Sequence, residues 1–229
     1  MKILKVIIFI IISSLFGANF DLDLLSLRNN KLNNSGRDNH DIHIIGIMVD
    51  FESDDDPKTT GDGQFLSESG SARERCVGDN FLVDPPPHNA AYFESQIEAV
   101  KNYYYNVSNG VFEIDFTMLG SNYSLQNNMS YYSVSDEAIG QLFSDALDIS
   151  KTDWEQVVGS SSLDDYLFVV FHAGVGQDIS FPYFDPANYD IPSAFIEESM
   201  LASDWVSDSG ISEGIVMPET LNHIYYDIV

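Results

Sequence analysis

Basic residues are scarce in this sequence: ten Lys and Arg stand against 36 Asp and Glu, a formal charge of −26. That imbalance repels nucleic acid and anionic membrane surfaces, and it favours a solvated acidic surface, calcium or cationic partners. Cysteine is scarcer still. With Cys76 alone no internal disulfide can form, so stability has to come from packing. Cys76 also sits in an acidic, irregular stretch without the electropositive setting that a reactive thiolate needs. Long apolar runs are missing too. The run at 6–15 follows Lys2 and Lys5 and precedes Gly17-Ala18. It is far shorter than the roughly 20 residues that cross a bilayer, and it has the form of a signal peptide. Residues 1–18 are therefore expected to be removed and the rest secreted, with no stable membrane insertion. Losing the two lysines takes the charge to −28.

What the sequence does contain is core material: 44% apolar residues, with 15 Phe, 12 Tyr and 2 Trp, enough for one large domain or two small ones. Residues 19–41, rich in Asn, Asp and Leu with a loop signal at Asn33-Asn34-Ser35-Gly36, read as a pro-segment-like lead-in. A domain is expected over 42–229. The interior of residues 42–51 is apolar apart from Gly46, and Asp50 marks the exit of a buried strand. Residues 111–119 alternate Phe112, Ile114, Phe116 and Met118 with Glu113, Asp115 and Thr117, the pattern of a half-exposed strand near a sheet edge. The run from Tyr166 to Phe171 is apolar without alternation. It predicts a strand buried on both faces in mid-sheet, stopping at His172-Ala173-Gly174-Val175-Gly176. A further short strand is expected over 214–218.

Helical spacing of Phe93, Ile97, Val100, Tyr104 and Val107 predicts a helix over 89–108 capped by Asn89. A second helix is expected over 136–149, capped by Ser135, with Ile139, Leu142, Phe143 and Ala146 inward. Leu221, Ile224, Tyr225 and Ile228 begin a third, capped by Thr220; that pattern reaches Val229 without a stop signal, as in a fragment. Residues 122–132 read as a surface loop, 153–162 as a connection, and 181–189 as an ordered aromatic loop walling a cleft. The order of elements predicts an α+β fold, three-layer-like, with a mixed β-sheet backed by two amphipathic helices.

Candidate chemistry is thin. Carboxylates at Asp54, Asp56 and Asp62, with glycine turns at Gly61 and Gly63, are the raw material of a calcium loop, although an exposed acidic loop is the plainer reading. On a strand, His40 and His43 would face opposite sides, so sharing a metal would require His40 to lie in a loop. Asn-x-Ser triplets at Asn33, Asn106, Asn122 and Asn128 accept glycans only in a host that attaches them. His172 at a strand end reads first as a hydrogen-bonded structural histidine. Gly174-Val175-Gly176 lacks the third glycine of a dinucleotide turn.

Phe171-His172-Ala173-Gly174-Val175-Gly176-Gln177-Asp178 nevertheless resembles the His-Ala-Gly-x-Gly-Gln-Glu-like element of secreted metallopeptidases of the immune inhibitor A type. There too an Asp-rich turn and an apolar strand precede it. Ile44-Ile45-Gly46-Ile47-Met48-Val49-Asp50-Phe51 fits the same pattern. So does the segment ending Tyr103-Tyr104-Tyr105-Asn106-Val107-Ser108-Asn109-Gly110, which corresponds to the family's Tyr-Tyr-x-x-x-Ser-x-Gly. The resemblance spans roughly residues 41–219. It rests on His172, Ala173, Gly174, Gly176 and Gln177, and on Tyr103, Tyr104, Ser108 and Gly110.

What the resemblance implies is the N-terminal subdomain of a zincin-like metallopeptidase acting on protein or peptide substrates. Its zinc would be held by His-Glu-x-x-His, which puts two imidazoles on one helical face beside a glutamate that activates water. None of His40, His43, His88, His172 or His223 begins that motif. Family order places it beyond Val229, so no catalytic residue and no zinc ligand is assigned within this chain. Nor is there a Gly-x-Ser-x-Gly elbow or a phosphate loop. The rival reading is a secreted, non-catalytic binding or adhesion module that uses its acidic or aromatic loop to hold calcium, a glycan or a protein.

Overall fold

In the computed structural model the described residues are 42–66, 86–178 and 189–221. The strands are β1 (Ile42–Asp50), β2 (Ile114–Ser124), β3 (Tyr166–Val175), β4 (Ala194–Ile196) and β5 (Gly214–Thr220). The helices are α1 (Ala90–Val107), α2 (Met129–Tyr132), α3 (Asp136–Ile149), α4 (Lys151–Val158) and α5 (Ser203–Ser209). One sheet forms in the order β2-β1-β3-β5-β4. Its first four strands run parallel, and β4 alone is antiparallel, paired to β5.

Burial of β1 and β3 on both faces explains their unalternated apolar sequence. Ile44 and Met48 of β1, Leu167, Val169 and Phe171 of β3, and Ile215 and Met217 of β5 point to one side. There they meet Phe93, Ile97, Val100 and Tyr104 of α1. Ile45, Ile47 and Val49, with Phe168, Val170 and Val216, point to the other and pack on Ile139, Leu142, Phe143 and Ala146 of α3. The result is three layers, as the α+β reading expected, with one amphipathic helix backing each face. Opposite faces are what right-handed crossovers require. The chain moves one way from β1 to β2 through α1, then back past β1 to β3 through α3.

Asn89 caps α1, its Oδ1 accepting from the Tyr92 amide at 3.2 Å, and Ser135 caps α3 through the Ala138 amide at 3.2 Å. Several expectations need correcting. Val107 is 57% exposed, because the helix reaches past the sheet before it ends. β2 starts later than expected and runs on through Ser124, because Asn122, Tyr123 and Ser124 stay paired to Met48, Val49 and Asp50. Its polar tail has no alternation to betray it, since it lies at the sheet margin.

The expected loop over 122–132 also contains α2, which buries Met129 and Tyr132. The connection over 153–162 is largely α4, anchored by buried Trp154, whose indole donates to the Leu147 carbonyl at 2.8 Å. β3 does not stop at His172 but continues to Val175 through a register irregularity. β4 and α5 were not expected at all. The lead-in over 19–41, Cys76, His40, His223, most of the aromatic loop and the helix expected after Leu221 lie outside the described residues.

Candidate functional site at the carboxyl edge of the sheet

The four parallel strands end at the same edge. Chain connections leave adjacent β1 and β3 in opposite directions there, the arrangement that opens a crevice in α/β sheets. The loops after β1 and β3 are tied together at this edge. The Thr60 amide and hydroxyl donate to the Asp190 carboxylate at 2.6 and 2.7 Å, and the Tyr189 amide donates to the Lys58 carbonyl at 3.0 Å. The Lys58 ammonium lies 5.4 Å from the centre of the Tyr189 ring. Asp178 accepts from the Ser193 amide at 3.1 Å and from its hydroxyl at 2.9 Å.

Glu219, one residue from the end of β5, is the polar centre of this edge. Its Oε1 accepts from the Leu66 amide at 2.7 Å and lies 2.7 Å from His88 Nδ1. Its Oε2 accepts from the Gly174 amide at 2.9 Å. Both side chains of the His88–Glu219 pair are fully buried. A carboxylate taken out of water is tolerated only when paired and hydrogen-bonded, and here two amides and an imidazole do both. Tyr92 stacks on His88 with ring centroids 4.3 Å apart. The His88 amide also donates to the Leu66 carbonyl at 2.9 Å, so one carboxylate closes the base of the loop between those residues.

Gly174 can present its amide because its φ is +94°, a conformation costly for any residue with a Cβ. A Cβ there would also lie 2.3 Å from Met129 Cε. His172, two residues earlier, is fully buried. Its Nδ1 donates to the Ala173 carbonyl at 2.9 Å, while Nε2 has no hydrogen-bond partner. Burial pushes its pKa down to about 4, against the opposing pull of the Ala173 and Ile191 carbonyls. Fully buried and donating to a backbone carbonyl, His172 packs as a neutral imidazole.

The residues that carry the family resemblance separate into two groups. His172, Ala173, Gly174, Gly176 and Gln177 gather at the carboxyl edge, where the Gly176 amide donates to the Thr220 carbonyl at 3.0 Å. Tyr103, Tyr104, Ser108 and Gly110 lie at the far end of α1, toward the start of β2. Ser108 ends the helix there, its Oγ accepting from the Phe112 amide at 3.0 Å, and Gly110 turns with φ +74°. Tyr104 is buried and its phenol is pushed above its ordinary range, first by burial and then by neighbouring Tyr103.

The calcium candidates fold their own loop. Asp54, Asp56 and Asp62 each accept, through Oδ1, from the amide two residues ahead, at 3.2, 3.0 and 3.1 Å. His43 sits near the start of β1, its Nε2 2.8 Å from Thr117 Oγ1, remote from His88 and His172. Among the described residues no three His, Cys, Asp or Glu side chains converge to hold a metal ion. His88 is committed to Glu219 and His172 is sealed in the interior.

Sequence reasoning missed Glu219 and His88, which are 131 residues apart. One signal was available: a carboxylate directly after the apolar run Ile215-Val216-Met217-Pro218 sits where a buried strand should continue. A cleft of about 860 Å³ lies at the opposite, amino edge of the sheet among the described residues, lined by residues that include Ile42, His43, Lys101, Tyr105, Asp115 and Tyr166. No protein-family model matches the chain, and no curated protein matches it either.

Proposed function

We propose that this chain is the sheet-bearing N-terminal part of a secreted, zincin-like metallopeptidase domain of the immune inhibitor A type, and that its sheet margin holds an extended peptide. The observation that carries this reading is β4. Among the described residues it is the one antiparallel strand, and it ends the sheet. A strand that ends a sheet is where an extended peptide can add, backbone to backbone.

Support comes also from β5, which leads the chain from mid-sheet toward the region where the resemblance expects the metal-binding helix. The Glu219 network holds the end of β5 against β3 and the segment before α1, which gives such a helix a fixed point of departure. The chain's own residues would then supply the frame and the peptide-binding edge, and a His-Glu-x-x-His segment past Val229 the zinc ligands.

Casein hydrolysis by the secreted product of the complete reading frame, measured with and without a chelator, tests this. Chelator-sensitive hydrolysis is the expected result. A complete product that holds the motif and zinc yet leaves casein intact contradicts it. A reading frame without the motif makes the domain a non-catalytic peptide-binding relative, a role for which a terminal β4 is equally suited.

A further inference from the structure

The amino edge of the sheet, remote from the Glu219 network, is concave. Among the described residues its cleft of about 860 Å³ falls within the roughly 300–1,000 Å³ typical of small-molecule sites. Two tyrosines wall it, and each ring has a fixed neighbour. The half-exposed Tyr105 ring of α1 lies against Gly110, where an added Cβ would meet it at 3.4 Å. Tyr166 stands in register with His43, their ring centroids 5.2 Å apart. We propose that this cleft binds a neutral saccharide, whose apolar ring face packs on tyrosine while its hydroxyls meet the polar rim.

The polar groups select that chemistry. Glu113, Asp115 and Asp165 bring acceptors to the cleft, while Lys101 and Asn102 bring donors. Lys101 and Asn102 contact Glu98 at 4.0 and 3.2 Å, through exposed contacts that exchange readily with a ligand. The carboxylates oppose a phosphate or an acidic sugar, and the Lys101 ammonium opposes a simple cation. A purely apolar ligand would take this charged rim out of water with nothing to bond it. A neutral ring with hydroxyls satisfies both kinds of group, since each hydroxyl donates and accepts. His43 adds a specific gap. Its Nε2 lies 2.8 Å from Thr117 Oγ1, but Nδ1 is 3.8 Å from Asp115 Oδ2, too far for a direct hydrogen bond. A ligand hydroxyl placed beside that pair can bond to both.

Tyr105, Asp115 and Tyr166 come from α1, β2 and β3, so the site is assembled only in the folded chain. It uses neither the acidic loop after β1 nor the aromatic loop after β3. It lies at the edge opposite Glu219, and it stands or falls independently of the peptidase reading.

Saturation-transfer NMR and titration of the full chain with maltotriose, cellotriose and triacetylchitotriose test it, with spermidine and trigalacturonate as charged controls. At least one neutral trisaccharide should bind. Tyr105→Ala and Asp115→Ala should each weaken that binding at least ~10-fold, and Tyr105→Phe should keep most of it. Tyr105 is half exposed and the Asp115 side chain is 75% exposed, so the sheet should survive these changes, which protection of the β3 amides against exchange verifies. The same sugar on a carrier protein separates a displayed glycan from a soluble one; binding of either form sustains the site. No binding by any neutral probe, binding unmoved by Tyr105→Ala and Asp115→Ala, or tighter binding of either charged control would each overturn the proposal.

Discussion

At the scale of single residues the polar interior is decided by two imidazoles with opposite solutions to burial. His172 gives up its charge, and His88 finds a carboxylate. His172 has its pKa held near 4, below the ordinary value of 6.5. Below pH 6.5 the unfolded chain therefore binds a proton that the native state refuses, so stability falls as pH drops from 6.5 to 4 and levels off below. The predicted loss between pH 7 and pH 5 is about 2 kcal/mol from this residue. Urea unfolding at the two pH values should show that increment in the parent and its absence in His172→Leu, with the carboxylate background common to both.

Glu219→Ala should cost about 3–5 kcal/mol in the same assay, because it strands two amides and a buried imidazole at once. Glu219→Gln keeps an acceptor oxygen and should lose less. None of this pairing was legible in advance. The strand that carries His172 did announce itself, as an apolar run without alternation. His88 and Glu219 meet only through tertiary structure: Glu219 stands out locally only by following an apolar run, and His88 by nothing around it.

Among elements, legibility followed length and burial. β1 and β3 are continuous apolar runs and α1 and α3 carry a helical period over four or five turns, so their positions were readable to within a few residues. β4 is three residues long and α4 eight, too short for a period to accumulate, and the second half of β2 is polar because it borders the sheet. Packing between elements can also reverse a local preference. Gly140 sits inside α3, where alanine would raise helix propensity by about 1 kcal/mol. Its missing Cβ, however, would lie 1.9 Å from the Met200 carbonyl oxygen, so α3 can approach that turn only through glycine. Overpacking costs about 1–3 kcal/mol, and it should win. Gly140→Ala is expected to lower the urea midpoint, and a raised midpoint would show that the turn at Met200 simply moves aside.

For the whole molecule the two ends of the sheet have different characters. The carboxyl edge is closed by short hydrogen bonds around Glu219 and Asp190. Among the described residues the amino edge holds a cleft of about 860 Å³ beside the start of β1. Net charge was readable from composition, and it predicts a chain that avoids polyanions, whereas the division between a hydrogen-bonded edge and one with a cleft emerges only when distant segments meet. In the proposed reading the link between this fold and a peptide substrate is β4, the strand that ends the sheet.

Fluorescence binding of an extended, labelled peptide to the protein, compared with the same peptide N-methylated at alternate amides, measures that link directly. Strand addition at β4 predicts that methylation in one register weakens binding at least ~10-fold and that methylation in the other register changes little, since only alternate amides face the receiving strand. Equal binding of the parent and both methylated peptides would contradict it.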